Sequence, residues 1–248
     1  MAEVLRKRSA MHCFTFRGFP DICRMNDKPH KISWTESLEL LQKICDGSEI
    51  PVDWDREKQK LYGLDETGER SWTFRFPLPF PVPDREETLC SYVARVPAQP
   101  APYLVVLLQA GHSALGFFEG GEVRQHKVIK KYMVRGKGKA QIGYLGSRGK
   151  SKAGSRVRLA NSVSFFEDIN AKLREWDVNG EAERILVSCP VALRALWFGS
   201  KVAPPFAKDD PRLIKVPMDI HKPDHEELLR VNRRCVAGYV EGMGELWA

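Results

Sequence analysis

Twelve lysines and arginines fall between Val123 and Arg158 (Arg124, Lys127, Lys130, Lys131, Arg135, Lys137, Lys139, Arg148, Lys150, Lys152, Arg156 and Arg158), and no aspartate or glutamate interrupts them. The full chain of 248 residues carries 39 Lys and Arg against 32 Asp and Glu, so the rest of it keeps 27 basic residues against all 32 acidic ones. One 36-residue segment therefore sets the sign of the net charge, +7. The chemistry such a block suits is polyanion binding, because neutralising phosphates releases condensed counterions and supplies most of non-specific nucleic-acid affinity. Lys130, Lys131, Arg135, Lys137, Lys139, Arg148, Lys150, Lys152, Arg156 and Arg158 are the expected RNA contacts.

Inside the block, Arg135 to Gly154 holds six glycines and six basic residues but little that is apolar beyond Ile142 and Leu145. It buries too little to offset its own ordering entropy, so a mobile loop is expected, with Gly136, Gly138 and Gly143 supplying backbone freedom. A phosphate-cradling P-loop fails on spacing. Gly149-Lys150-Ser151 would need a glycine at position 144, which is Tyr144, and no buried strand precedes it.

Other constellations are weaker. His221-Lys-Pro-Asp-His225 places two histidines at helical i, i+4 spacing, but a third metal ligand is not identifiable and Pro223-Asp224 reads as a helix start. Cys189 follows a strand pattern without an assignable histidine partner, and His112-Ser113 lacks the GxSxG context of a hydrolase elbow. Tyr132 is read as a packing residue of a strand in preference to a base-stacking one. No metal, cofactor or bound nucleotide is expected.

The elements that must hold the basic loop can be read around it. Tyr103-Leu-Val-Val-Leu-Leu108 is an apolar run, Ala114 to Phe118 follows the turn-forming Gly111, and Gly120-Gly121 suits a two-residue hairpin before Val123 to Tyr132. A three-stranded meander thus feeds the loop. After it, Leu159, Val163, Phe166, Ile169, Leu173 and Trp176 recur at helical spacing. Strands at Arg184 to Ser188 and Leu213 to Val216, a helix from Pro190 to Leu196, and a final helix from about Pro223 to Val240 complete the pattern. Ahead of the meander, Ser33-Trp-Thr-Glu36 has capping-box spacing before a short amphipathic helix, and Trp72, Phe74 and Phe76 alternate as in a strand.

The expected fold is α+β, a mixed sheet flanked by helices with a smaller N-terminal α+β region. The proline-bearing stretch Val96 to Pro102 suggests a boundary, giving residues 1–98 and 99–248, the latter carrying the loop 135–154. The chain is 43% hydrophobic and has no apolar run of membrane-spanning length, and Met1 to Ala10 does not lead into an apolar signal core. Six cysteines without CxxC spacing suggest neither a zinc module nor a disulfide framework, so a reducing cytoplasm is the expected location, away from membranes.

Lys131-Tyr-Met-Val-Arg-Gly-Lys-Gly-Lys-Ala-Gln141, then Ser151-Lys-Ala-Gly-Ser-Arg-Val-Arg-Leu159 and the helix pattern to Trp176, resemble the VMS-like release factor (VLRF) domain. That family is related to the middle domain of eukaryotic and archaeal class-1 peptide release factors. The resemblance runs from about Tyr103 to Tyr239 and includes Asp210-Pro-Arg-Leu213 before the last strand pattern. It implies a ribosome-associated peptidyl-tRNA hydrolase acting in termination, ribosome rescue or ribosome quality control, with large-subunit rRNA and peptidyl-tRNA as partners.

The residue matching the family's catalytic glutamine is Gln141. Release factors carry two glycines directly before it; here Lys139 and Ala140 stand there, with Gly138 one step back, a looser form that resembles the rescue branch. A glutamine is neutral at all relevant pH, so the implied role is to position water and donate hydrogen bonds to developing charge, not to act as a base. Two alternatives stay open: a non-catalytic RNA- or ribosome-binding module, motivated by Lys139-Ala140, and a tRNA-cleaving nuclease acting near the CCA end.

Overall fold

The computed structural model describes residues 29–47, 51–133, 153–177 and 180–242, with the side chains of 153–159 left aside. Contacts divide the chain into two compact units that cut across the expected boundary at 98/99. Of the described residues, one comprises 29–31, 51–75 and 239–242, and the other comprises 32–47 and those between 76 and 238. The cause is pairing between distant segments, because the last strand joins the early ones.

In the first unit, β1 (His30–Ile32), β2 (Val52–Asp55), β3 (Lys60–Leu64), β4 (Arg70–Arg75) and β10 (Gly238–Glu241) form a sheet of order β1-β10-β4-β3-β2. β10 runs antiparallel to β4, with Val240 opposite Phe74. The final helix expected to reach Val240 therefore stops earlier: α5 spans His225–Cys235, and Tyr239 lies in a strand. Gly238 follows the helix end, and aromatic, β-branched Tyr239-Val240 suits a strand better than a helix terminus.

The second unit holds the sheet the sequence pattern anticipates. β5 (Tyr103–Gln109), β6 (His112–Glu119) and β7 (Glu122–Lys130) form the antiparallel meander, turning at Gly120 and Gly121, whose φ angles of 60° and 87° fit a tight hairpin. β8 (Arg184–Ser188) and β9 (Leu213–Lys215) add on in parallel, giving the order β7-β6-β5-β8-β9. This is the mixed sheet of an α+β fold.

Side chains of β5 alternate between two cores, which is why the strand reads as a continuous apolar run. Leu104, Val106 and Leu108 face a layer containing α3 (Ala153–Trp176) and α4 (Val191–Phe198), through Phe165, Phe166, Ile169, Leu173, Leu193 and Trp197. Tyr103, Val105 and Leu107 face α5 through Leu228, Val231 and Cys235. Gly116 on β6 lies on the α5 side, where a Cβ would meet the Phe118 ring and, at 3.0 Å, Leu228 Cδ2.

Near the N-terminus of this unit, α1 (Trp34–Asp46) starts at a capping box: Ser33 Oγ accepts from the Glu36 amide at 3.2 Å and Glu36 accepts from the Ser33 amide at 2.7 Å. α2 (Leu89–Arg95) packs beside it, and a disulfide joins Cys45 to Cys90 with the Cα atoms 5.4 Å apart. The expectation of no disulfide is thereby corrected. The two cysteines lie 45 residues apart and only the packing of α1 on α2 brings them together.

Asn170 is the polar tie between α3 and α4. It is fully buried, accepts from the Trp197 indole N–H at 2.6 Å and donates to the Val202 carbonyl at 2.7 Å. Asn170→Leu is expected to destabilise the fold by about 1–3 kcal/mol, because buried partners lose their hydrogen bonds; urea unfolding measures this. Glu227, in the first turn of α5, accepts from Arg230 and from the His221 amide at 2.6 Å. The Arg230 hydrogen bonds, opposed by burial and aided by the His221 amide, hold its carboxyl below the ordinary 4.5. A carboxyl depressed in the folded state stabilises above the unfolded value and loses that stabilisation as pH falls through the folded one. Glu227→Gln is therefore expected to flatten the loss of melting temperature on acidification below about pH 4.5.

Candidate RNA-binding site at the root of the basic segment

β7 ends at Lys130, and the next three residues are held against α3 before the chain enters residues 134–152, which lie outside the described residues. Lys131 donates its amide to the Gly111 carbonyl at 2.9 Å, adding one contact beyond the strand. Gly111 has φ +77°, and a Cβ there would press on the Lys131 carbonyl oxygen, so glycine is required both for the turn and for the close approach. The Lys131 ammonium reaches α3, bonding Asp168 at 2.6 Å and Ser164 at 2.9 Å. Asn161 donates to the Tyr132 carbonyl at 3.0 Å, and Met133 packs on the α3-side core.

Asn161, Ser164 and Asp168 are three and four residues apart, so they line one face of α3. That face clamps the strand exit. α3 begins at Ala153, and at 1.5 Å per residue its start lies about 12 Å along the axis from Asn161. The structure thus fixes where the 19 residues from 134 to 152 leave and rejoin the fold.

At this exit lies a cleft of about 340 Å³ lined by Ala110, Gly111, His112, Lys130, Lys131, Tyr132 and Met133. Lys130 is exposed and Lys131 is half-buried through its ion pair. Tyr132 was expected to pack within a strand, but it lies two residues past β7 and is 56% exposed. Its backbone is held while its ring meets solvent.

Of the residues expected to contact RNA, Lys130 and Lys131 are brought together at the cleft. Arg156 and Arg158 lie on the first turns of α3. Arg135, Gly136, Lys137, Gly138, Lys139, Gln141, Gly143, Arg148, Lys150 and Lys152 fall outside the described residues. The clamp residues Gly111, Asn161, Ser164 and Asp168 were not singled out from sequence. A polar stripe on an otherwise inward-facing helix was the available signal.

The weaker constellations do not assemble. His221 precedes the cap of α5, where Asp224 accepts from the Glu227 amide at 2.9 Å, so His221 and His225 do not share a helix face. His225 instead lies against His126 of β7, ring centres 4.0 Å apart and planes tilted by 32°. Desolvation first, and then the His225 charge, lower the His126 pKa below 6.5. Burial pushes the Cys189 thiol up to about 11, which keeps it protonated and a poor nucleophile at neutral pH.

Comparison with known proteins places this region in a family. The family model described as bVLRF1, Bacteroidetes VLRF1 release factor, matches residues 103–242. The mouse protein tRNA endonuclease ANKZF1 is 36% identical over 137 residues, covering 53% of this chain and 18% of the relative. Human tRNA endonuclease ANKZF1 is 35% identical over 146 residues, covering 57% and 20%. The chain thus spans about a fifth of the length of these curated relatives. Among solved structures, the Vms1 mitochondrial localization core aligns with a TM-score of 0.47 at 13% identity, over 83% of this chain and 82% of that one.

Gly111→Ala is expected to cost about 1–3 kcal/mol, since it forces a left-handed residue and displaces Lys131. Chemical denaturation reads the loss, and faster hydrogen exchange at the Lys131 amide locates it.

Proposed function

Because the chain belongs to the bVLRF1 release-factor family, whose model covers more than half of it, we propose that it frees nascent chains from stalled ribosomes in the cytoplasm by breaking a bond at the acceptor end of peptidyl-tRNA. Residues 99–248 carry the activity in this reading, and residues 1–98 are accessory. The basic residues from Lys130 to Arg158 dock the segment 135–154 on large-subunit rRNA and tRNA, and Gln141 stands at the reacting centre.

The bond favoured is a tRNA phosphodiester near the CCA end. The observation that carries this choice is the similarity to proteins named tRNA endonuclease over the release-factor-like region. In such a cleavage the neighbouring 2′-hydroxyl gives its proton to solvent and attacks phosphorus, the bond to the 5′-oxygen breaks, and that oxygen takes a proton from solvent, leaving a 2′,3′-cyclic phosphate and a 5′-hydroxyl. Negative charge builds on the phosphoryl oxygens, and an amide N–H from Gln141 with a cation such as Lys139 or Arg135 lowers that barrier. One well-placed donor contributes about 2.7–4 kcal/mol.

The family's description as a release factor favours a second reading. Gln141 would then hold water against the ester carbonyl, leaving tRNA intact.

Purified stalled ribosome complexes carrying labelled peptidyl-tRNA distinguish the two. Cleavage yields a tRNA shortened at its 3′ end with the peptide still bearing nucleotides, whereas ester hydrolysis yields full-length tRNA and bare peptide. Gln141→Ala is expected to slow either reaction by about 10²–10³-fold while ribosome cosedimentation persists. A Gln141→Ala variant that reacts at the wild-type rate removes Gln141 from the mechanism.

A further inference from the structure

The cleft at the exit of β7 combines two recognition chemistries. Its lining includes Tyr132, His112, Lys130 and Lys131 and no Asp or Glu, although the Lys131 ammonium is itself paired with Asp168 at 2.6 Å. Ammonium groups select an anion, and flat rings select a planar π-face. A nucleotide offers both. The cleft volume of about 340 Å³ lies at the small end of ligand clefts, about 300–1,000 Å³, so it suits one nucleotide and not a duplex.

The backbone beneath the Tyr132 ring is already ordered. Lys131 is fixed through Gly111, Ser164 and Asp168, and the Tyr132 carbonyl is fixed by Asn161. An exposed tyrosine on a clamped backbone loses little further freedom when a base stacks on it, and has few rotatable bonds to freeze. Lys131 spends its charge on Asp168, which leaves the exposed Lys130 as the cation better placed to meet a phosphate.

We propose that this cleft binds one unpaired nucleotide of RNA, with the base stacked on Tyr132 and the adjacent phosphate met by Lys130. The inference rests on the RNA-acting reading above and adds to it a subsite outside the segment that carries Gln141. Its place at the root of that segment lets it hold RNA beside the point where the loop leaves the fold.

The test uses the full chain and a single-stranded RNA decanucleotide containing 2-aminopurine, whose fluorescence falls when it stacks. The wild-type protein is expected to bind and quench. Tyr132→Ala is expected to weaken binding by roughly 5- to 150-fold and abolish the quench, without altering the salt dependence, since no phosphate contact is lost. Tyr132→Phe is expected to behave as wild type. Lys130→Gln is expected to retain the quench while reducing the slope of log affinity against log salt by about 0.7. Because the Tyr132 side chain is solvent-exposed, the melting temperature of its variants is expected to stay at the wild-type value. If Tyr132→Ala binds and quenches like wild type, the cleft is not the nucleotide subsite, though RNA binding elsewhere stands. If the wild-type protein binds no RNA, the RNA-acting reading falls and the subsite with it.

Discussion

β5 is desolvated on both faces, and the strands beside it and the helices α3, α4 and α5 answer to that constraint. Were the strand buried on one face only, three of its six buried side chains from Tyr103 to Leu108 would lie in water, at about 1.5–3 kcal/mol for each aliphatic one. Covering Leu104, Val106 and Leu108 demands α3 and α4; covering Tyr103, Val105 and Leu107 demands α5. The antiparallel partner β6 and the parallel partner β8 then satisfy both backbone edges of β5. A helix from one side and a meander from the other are thereby fixed in register, which makes the junction between β7 and α3 a defined place.

At that junction the requirements of stability and of function differ. The Lys131–Asp168 pair is partly exposed, so its net contribution to stability is modest. Its geometric effect is larger, because together with Asn161 and Gly111 it aligns the strand exit with the flank of α3. A long glycine-rich connection gains most from fixed ends.

Much of this arrangement was open to reading from sequence, for identifiable reasons. The meander was legible because Gly111 and Gly120-Gly121 punctuate apolar strands, and α1 because its capping box is local. The resemblance to the VLRF domain, seen on residues from Tyr103 to Tyr239, coincides with the family match to 103–242. What escaped depends on distant partners. β10 is a strand because β4 is beside it, and Cys45 meets Cys90 because two helices pack. Tyr132 read as a strand residue because no turn signal separates it from Val123. The ladder ends at Lys130, two residues sooner, where the contacts to α3 take over and leave the ring exposed.

The uneven charge of the chain raises a physical question of its own: why twelve cations in one segment would engage RNA instead of the 32 acidic residues of the same molecule. Proximity favours the intramolecular partner, and it prevails at Lys131, 2.6 Å from Asp168, and at Arg124, 2.8 Å from Glu119. A polyanion offers the remaining cations more. Isolated surface carboxylates are screened over about 8 Å at physiological ionic strength and each pair is worth about 0–1 kcal/mol. Phosphates along a nucleic acid are evenly spaced and already carry condensed counterions, so each contact adds the entropy of an ion released, and the gains accumulate over the segment. A scattered acidic surface cannot supply that sum. The same reasoning bears on the absence of acid from Val123 to Arg158: a carboxylate there would cancel one cation and set its own charge against any polyphosphate.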